Sequence, residues 1–256
     1  MIKKGILSMM AVVIAASAQA QFYGKIGVGV HAPAGSQVLG ITSTLTEDEV
    51  VKGSFGKGIS PVIGVGYMLT NHVGIELAAS YLFGATYKAS STSQNASSLY
   101  EERAKSLYIL PAIVLKAGEP NHKIRPSGRA GLILAPMTNH TVMYSITSGN
   151  NKDETTIKYK SKPALGFTGS LGLEFRLNKM AHIWVEAVGS SLTTWLKSAE
   201  VTEYKENGAD QLPSYTNKTW KFEDKLPSSN NVDQLSKSTP LSSIGLAIGV
   251  AFAFGK

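Results

Sequence analysis

Seven ionisable residues carry most of the chemistry this sequence offers in a confined space: Lys25, Glu76, Arg125, Arg129, Glu174, Arg176 and Glu186. Each occupies an alternate position in its stretch, on a face otherwise built mainly of small residues. A charge withdrawn from water is costly unless an opposite charge or hydrogen bonds meet it. Such a set, with both signs present, is expected to pair within itself. It can act as a gate in a narrow polar path, or as a structural plug of mutually satisfied ions; the plug is the favoured reading.

Other reactive residue types give less. The chain has no cysteine, which excludes a disulfide scaffold, a thiolate zinc site and a cysteine nucleophile. Of the five histidines (His31, His72, His122, His140 and His182), none makes the H-x-x-H or H-E-x-x-H spacing of a metal site. No metal, cofactor or catalytic residue is therefore assigned. A serine hydrolase needs a histidine within reach of its nucleophile, and no His-x-Ser pair lies on a strand. His140 with Asp210, Asp224 or Asp233 is the one acid–base pairing to weigh, and no spacing demands it. Residues from about Lys197 to Thr239 interleave charges with Tyr204, Tyr215, Trp220 and Phe222. Exposed aromatics beside charges suit protein or glycan contacts; the alternative is a loop folding its own Trp220 over the structure below it.

These side chains must be positioned by strands. The dominant signal beyond residue 21 is alternation with a period of two. It is clearest at the end of the chain, where Ile244, Leu246, Ile248, Val250, Phe252 and Phe254 oppose Gly245, Ala247, Gly249, Ala251 and Ala253. Seven earlier segments share it: Phe22 to His31, Ile59 to Leu69, Val73 to Phe83, Ser106 to Lys116, Ile124 to Leu134, Leu165 to Arg176, and His182 to Trp195. Three connections are short and use turn residues, at Thr70-Asn71-His72, Gly118-Glu119-Pro120-Asn121 and Asn178-Lys179. The other four are long and polar, at about Ala32–Gly58, Gly84–Lys105, Ala135–Ser161 and Lys197–Thr239, and are expected as loops. The run from Ser90 to Asn95 is nearly low-complexity.

The N-terminus reads as an export signal. Lys3 and Lys4 precede an apolar core from Ile6 to Ala16, and Ala18-Gln19-Ala20 fits a small-x-small cleavage site. The expected organisation is a signal peptide over 1–20 and one domain over 21–256. Loss of Lys3 and Lys4 takes the net charge from +7 to +5. The basic residues are scattered without a Lys/Arg block, so nucleic acid is not an expected partner. No later stretch offers 18 uninterrupted apolar residues, so no transmembrane helix is expected.

Residue size decides which face points inward. The apolar faces carry roughly five large side chains per strand, about 40 in all, and a barrel of eight strands has an interior only wide enough for side chains to fill. The other face, of Gly, Ala, Ser, Thr and occasional charges, fits a narrow bore. The large apolar face is therefore expected to meet lipid. Lipid cannot satisfy free backbone groups, so the sheet must close. Aromatics fall near span ends: Phe22, Tyr67, Phe175 and Phe254 at one, Tyr81, Phe83, Phe167 and Trp195 at the other, as interfacial girdles do.

The export signal, the eight alternating spans and the final Gly249-Val250-Ala251-Phe252-Ala253-Phe254 resemble the small outer-membrane β-barrels of the OmpA and opacity-protein type. The resemblance covers the mature chain. It departs from the family's terminal signal at Ala247, where a polar residue is preferred, and in Gly255 and Lys256 after the last Phe. It implies an all-β, eight-stranded antiparallel up-and-down transmembrane barrel with short periplasmic turns and long outer loops. The implied location is the bacterial outer membrane. The implied partners are outer-membrane lipid, lipopolysaccharide, the barrel-assembly machinery through Gly249, Phe252 and Phe254, and a host or neighbouring-cell surface ligand. The expected function is non-enzymatic: envelope integrity and loop-mediated surface interaction or adhesion. A small porin-like channel is the alternative, and an outer-membrane enzyme, a lipid A deacylase or protease, comes third.

Overall fold

The computed structural model describes residues 21–35, 37–227 and 232–254. The expected signal peptide and the last two residues lie outside the described residues. Seventeen strands follow in order: β1 (Gln21–Pro33), β2 (Gln37–Ser43), β3 (Asp48–Gly53), β4 (Gly58–Met68), β5 (Val73–Gly84), β6 (Tyr87–Thr92), β7 (Ala96–Lys116), β8 (Ile124–Ser148), β9 (Asn151–Ser161), β10 (Ala164–Arg176), β11 (Ala181–Ser191), β12 (Thr193–Glu206), β13 (Ala209–Asp210), β14 (Thr219–Glu223), β15 (Gln234–Leu235), β16 (Ser238–Pro240) and β17 (Ser243–Phe254). One short 3-10 turn, Leu212–Ser214, interrupts them. Among the described residues no helix is long and apolar enough to cross a membrane.

Eight of the strands form a closed circuit. β1, β4, β5, β7, β8, β10, β11 and β17 each pair antiparallel with the next. β17 then returns to β1 in continuous register from Phe22↔Phe254 to Pro33↔Ser243. The short connections lie where expected and are tied by their own side chains. Thr70 Oγ1 accepts the Val73 N–H at 3.0 Å, and Asn178 Oδ1 accepts those of Met180 and Ala181. The short turns, Gln21 and Phe254 share one end of the circuit, called here the turn end.

The expectation of eight strands joined by four irregular loops holds only in part. The other nine strands occupy the long connections. β7 begins ten residues before its expected start and β8 continues fourteen residues past Leu134. β6, β7, β8, β9 and β12 then pair in sequence as a wall rising from the opening opposite the turn end. Most of the Ser90–Asn95 run belongs to a hairpin, with Thr92↔Ser97 at its tip. Apolar alternation finds strands with an oily face and a packed face. The inward positions of the wall mix polar with apolar residues, such as Thr138, His140 and Val142 on β8 and Thr194 and Leu196 on β12, so its alternation does not show as hydropathy. The seventh expected strand also ends early. β11 stops at Ser191, Leu192 turns inward, and Trp195 belongs to β12, which pairs with β16 and β9.

The two faces of the circuit separate by size and polarity. Leu171 is 74% exposed, Phe167 66% and Leu246 66%, whereas Glu174 is 3% and Trp184 1% exposed. Phe22 and Tyr67 meet at 4.6 Å at the turn end, and Tyr81 and Phe83 at 4.8 Å at the other. Inside, Trp184 packs with Ala247 and Ala251. Beyond it Phe55, Leu82, Ala104, Ile133, Leu192 and Leu241 form an apolar plug at the wall end. Phe55 N–H and Ser54 Oγ both donate to the Pro240 carbonyl, at 2.9 and 3.1 Å, and fix the plug.

The indole of Trp184 fits only because its neighbours lack a Cβ. A Cβ on Gly27 would lie 2.3 Å from Trp184 Cζ2 and 2.5 Å from the Ile248 carbonyl oxygen. Glycine in a strand interior is ordinarily the weaker residue, and alanine gains about 0.5–1 kcal/mol there. Here the sign inverts. Gly27→Ala is expected to cost about 1–3 kcal/mol through overpacking, read as a lower urea midpoint of the detergent-solubilised protein. A stabilising change would mean that the indole is not wedged.

Candidate functional site

The bore is crossed by a layer of ionised side chains. Glu76 on β5 is its centre. Lys25 Nζ lies 2.5 Å from Glu76 Oε1, and Tyr23 Oη donates to Oε2 at 2.8 Å. Arg129 on β8 donates its Nε to the same oxygen at 3.1 Å and reaches Glu186 on β11 with Nη1. Ser170 Oγ donates to the other oxygen of Glu186 at 3.1 Å. Lys25, Glu76, Arg129 and Glu186 thus link β1, β5, β8 and β11 across the interior, with two charges of each sign. The Lys25 ammonium also sits over the Trp184 ring at 5.2 Å.

The structure does not join all seven predicted residues. Glu174 pairs with Lys116 at 2.8 Å, nearer the turn end. Arg125 is buried but bonds backbone carbonyls, those of Asn71 at 2.7 Å and Gly118 at 3.3 Å. Arg176 binds the turns, through Asn178 O and Asn121 Oδ1. Sequence reasoning missed Tyr23, Lys116 and Trp184. All three have the parity of the inward face, and that parity was the usable signal.

Between the ion layer and the plug lies a cavity of about 110 Å³. His31 lines it and shares a hydrogen bond of 2.6 Å with Ser60 Oγ.

The wall has a site of its own. His140 is 1% exposed, with Nδ1 3.3 Å from Glu102 Oε1 and its ring edge-on to Phe55 at 5.3 Å. Its partner is therefore a glutamate of the second connection, and not Asp210, Asp224 or Asp233 as the protease reading requires. Tyr100 donates its hydroxyl to Glu102. Burial, and then this carboxylate, push the Tyr100 phenol well above its ordinary range. The same two causes raise Tyr159 to about 12. Among the described residues no group of three His, Asp or Glu side chains gathers as a metal site.

The aromatics of the fourth connection divide. Phe222, expected as a surface contact, is 3% exposed and packs with Leu196 and Ala199, so it is an internal anchor. Trp220 is half-buried against Tyr159 at 6.2 Å. The reason is the wall itself: β14 lies along β12 and turns one face toward β9. Tyr204 and Tyr215 meet edge to face at 5.0 Å and stay half-exposed.

Removing the centre of the ion layer strands its partners. Glu76→Gln leaves Lys25 without a carboxylate in a buried bore, and a broken buried pair costs about 3–5 kcal/mol. Adding Lys25→Met is expected to recover part of that loss. Urea unfolding of both variants checks the pair; a neutral Glu76→Gln would mean that the ammonium is hydrated and the layer is not a seal.

Comparison with known proteins agrees with this architecture. The model of the outer membrane protein beta-barrel domain family matches residues 5–223. Among curated proteins none matches the sequence. The chain is similar to OprG of Pseudomonas aeruginosa at 14% identity and TM-score 0.48, covering 93% of this chain and 97% of that one. It is similar to Neisserial surface protein A at 11% and 0.43, covering 92% and 99%. It is also similar to the N-terminal β-barrel domain of Pseudomonas aeruginosa OprF at 10% and 0.39, covering 92% and 98%. With a closed circuit of strands, and a family match over most of its length, the chain belongs to the outer membrane protein beta-barrel domain family, whose place is the bacterial outer membrane.

Proposed function

We propose that the eight-strand circuit spans the outer membrane, and that the protein is a non-enzymatic surface barrel. It stiffens the envelope and holds a structured wall toward the outside. The observation that carries this reading is the filled bore. A layer of paired ions and an apolar plug occupy it at separate levels, which supports reading the bore as closed to solute flow. A plugged barrel has no use as a pore, and its exposed features lie at its two ends.

The span fits the bilayer. Most of the circuit's strands have 11 to 13 residues, and tilted strands need about 9–11 to cross the hydrocarbon core. β7 and β8 run further, and the surplus of β8 amounts to roughly 40 Å of strand beyond the membrane. In this reading the turn end lies in the periplasm. Residues 1–20 are the cleaved export signal, and residues 21–256 form one domain. Lipid and lipopolysaccharide surround the barrel, and Gly249, Phe252 and Phe254 present the terminal strand to the assembly machinery. Of the four aromatics singled out, Tyr204 and Tyr215 are the pair left for adhesive contact with a host or neighbouring surface.

Three measurements test this. Protein from isolated outer membranes is expected to migrate differently on a gel when unheated, as a detergent-resistant barrel does. Planar-bilayer recordings of the purified protein are expected to lack steady single-channel steps; regular steps would favour the porin-like alternative. Leu171→Arg is expected to cost about 2–4 kcal/mol if that residue sits at mid-bilayer, and a cost near zero would put its face in water.

A further inference from the structure

The turn end of the bore opens into a polar vestibule of about 1000 Å³. Its charge is one-sided. Lys116, Arg125, Arg176 and Lys179 line it with one carboxylate, Glu174, and that carboxylate is held by Lys116 at 2.8 Å. Among the described residues no carboxylate comes within ion-pair distance of Arg125, Arg176 or Lys179. Three formal positive charges therefore face one opening.

Arg125 is the informative member. It is 7% exposed. Its Nη2 donates to two neutral carbonyls, Asn71 O and Gly118 O. Its Nε, also sealed from solvent, has no hydrogen-bond partner among the described residues. The carboxylates that act on it, Glu174 opposite it on β10 and Glu119 in the adjoining turn, do so only across space, and a buried guanidinium that no anion meets directly is costly. Arg176 is similarly pre-set, by Asn178 O at 3.2 Å and Asn121 Oδ1 at 3.0 Å. Two guanidinium forks held by turns suit the paired oxygens of phosphate or carboxylate groups.

The vestibule is blind. At its inner end the Lys116 ammonium lies over the Tyr23 ring at 4.8 Å, and Tyr23 closes onto Glu76. An anion entering from the turns meets the ion layer and leaves by the way it came. We propose that this vestibule is a binding site for a multivalent oxyanion, taken up from the turn side.

The test is calorimetric titration of the folded protein in uncharged detergent micelles at low salt, with pyrophosphate and with citrate. Saturable binding of at least one is expected, weakening as salt is added. Binding of pyrophosphate alone would assign phosphate groups, of citrate alone carboxylates, and of both the shared oxyanion chemistry. Arg125→Gln is expected to weaken binding roughly tenfold or more. Lys179→Gln, an exposed change that spares the fold, is expected to weaken it measurably. Lys52→Gln, in the distant hairpin of β2 and β3, is expected to leave it unchanged. The proposal is overturned if neither anion binds to protein that keeps its folded gel migration. It is equally overturned if Lys179→Gln has no effect, or if Lys52→Gln weakens binding as much as the vestibule variants. None of these outcomes bears on conductance, so the site and the surface-barrel reading stand or fall separately.

Discussion

Pairing of the first strand with the last sets the terms for everything else in this molecule. Once β1 and β17 join over their whole length, no sheet edge remains in the circuit and every ring strand has a partner on both sides. Closure also fixes the girth. Eight strands enclose a space that side chains alone must fill, and each inward position then competes for the same volume. The small residues of the terminal strand follow from that competition. So does the pairing of a tryptophan with glycines: an indole fills the section at Trp184 because Gly27 and Gly249 yield their Cβ volume to it. The outward positions face no such limit, and they carry the Leu, Ile, Val and Phe that a soluble protein would spend on its core.

Within that girth, access to water decides what each level of the bore contains. At the turn end water enters, and cations are held by turn carbonyls and by each other's spacing. Deeper in, where the solvent is gone, charge appears only in balanced sets with supplementary hydrogen bonds from Tyr23 and Ser170. At the wall end, Ser54 and Phe55 meet Pro240 through backbone bonds, and the level is apolar. Buried ion pairs contribute little net stability; here they let a chain carry charge through a buried section at tolerable cost.

Legibility in the sequence follows the same divide. The ring strands were readable because two unlike environments, lipid outside and a crowded bore inside, impose a strict period of two. That period also gave the inward parity of Lys25, Glu76 and Glu186, and the same count extends to Tyr23, Lys116 and Trp184, which the sequence reading did not single out. Which ions meet was not readable, because partners such as Glu76 and Arg129 sit two strands apart around a circuit whose stagger no local pattern encodes. The wall strands were missed because their inward positions carry polar residues such as Thr138 and His140 beside apolar ones, which blurs the alternation in hydropathy. A different signal was available there. Asn207-Gly208, both with positive φ, is a strong two-residue hairpin signature, and it joins β12 to β13.

The wall changes what a long connection can do. A long irregular loop would order only on contact, giving up conformational entropy at that moment. Here that cost is met during folding. β9 and β12 pair from Leu196↔Ser161 to Glu206↔Asp153, Asn207 clasps Lys152 through backbone and side chain, and Phe222 anchors β14 from beneath. The same packing that withdraws Phe222 and Trp220 from solvent holds Tyr204 and Tyr215 as a fixed pair at the rim. Rigid aromatic pairs lose little freedom on docking, so the internal core of the wall is what would make its few remaining surface aromatics effective.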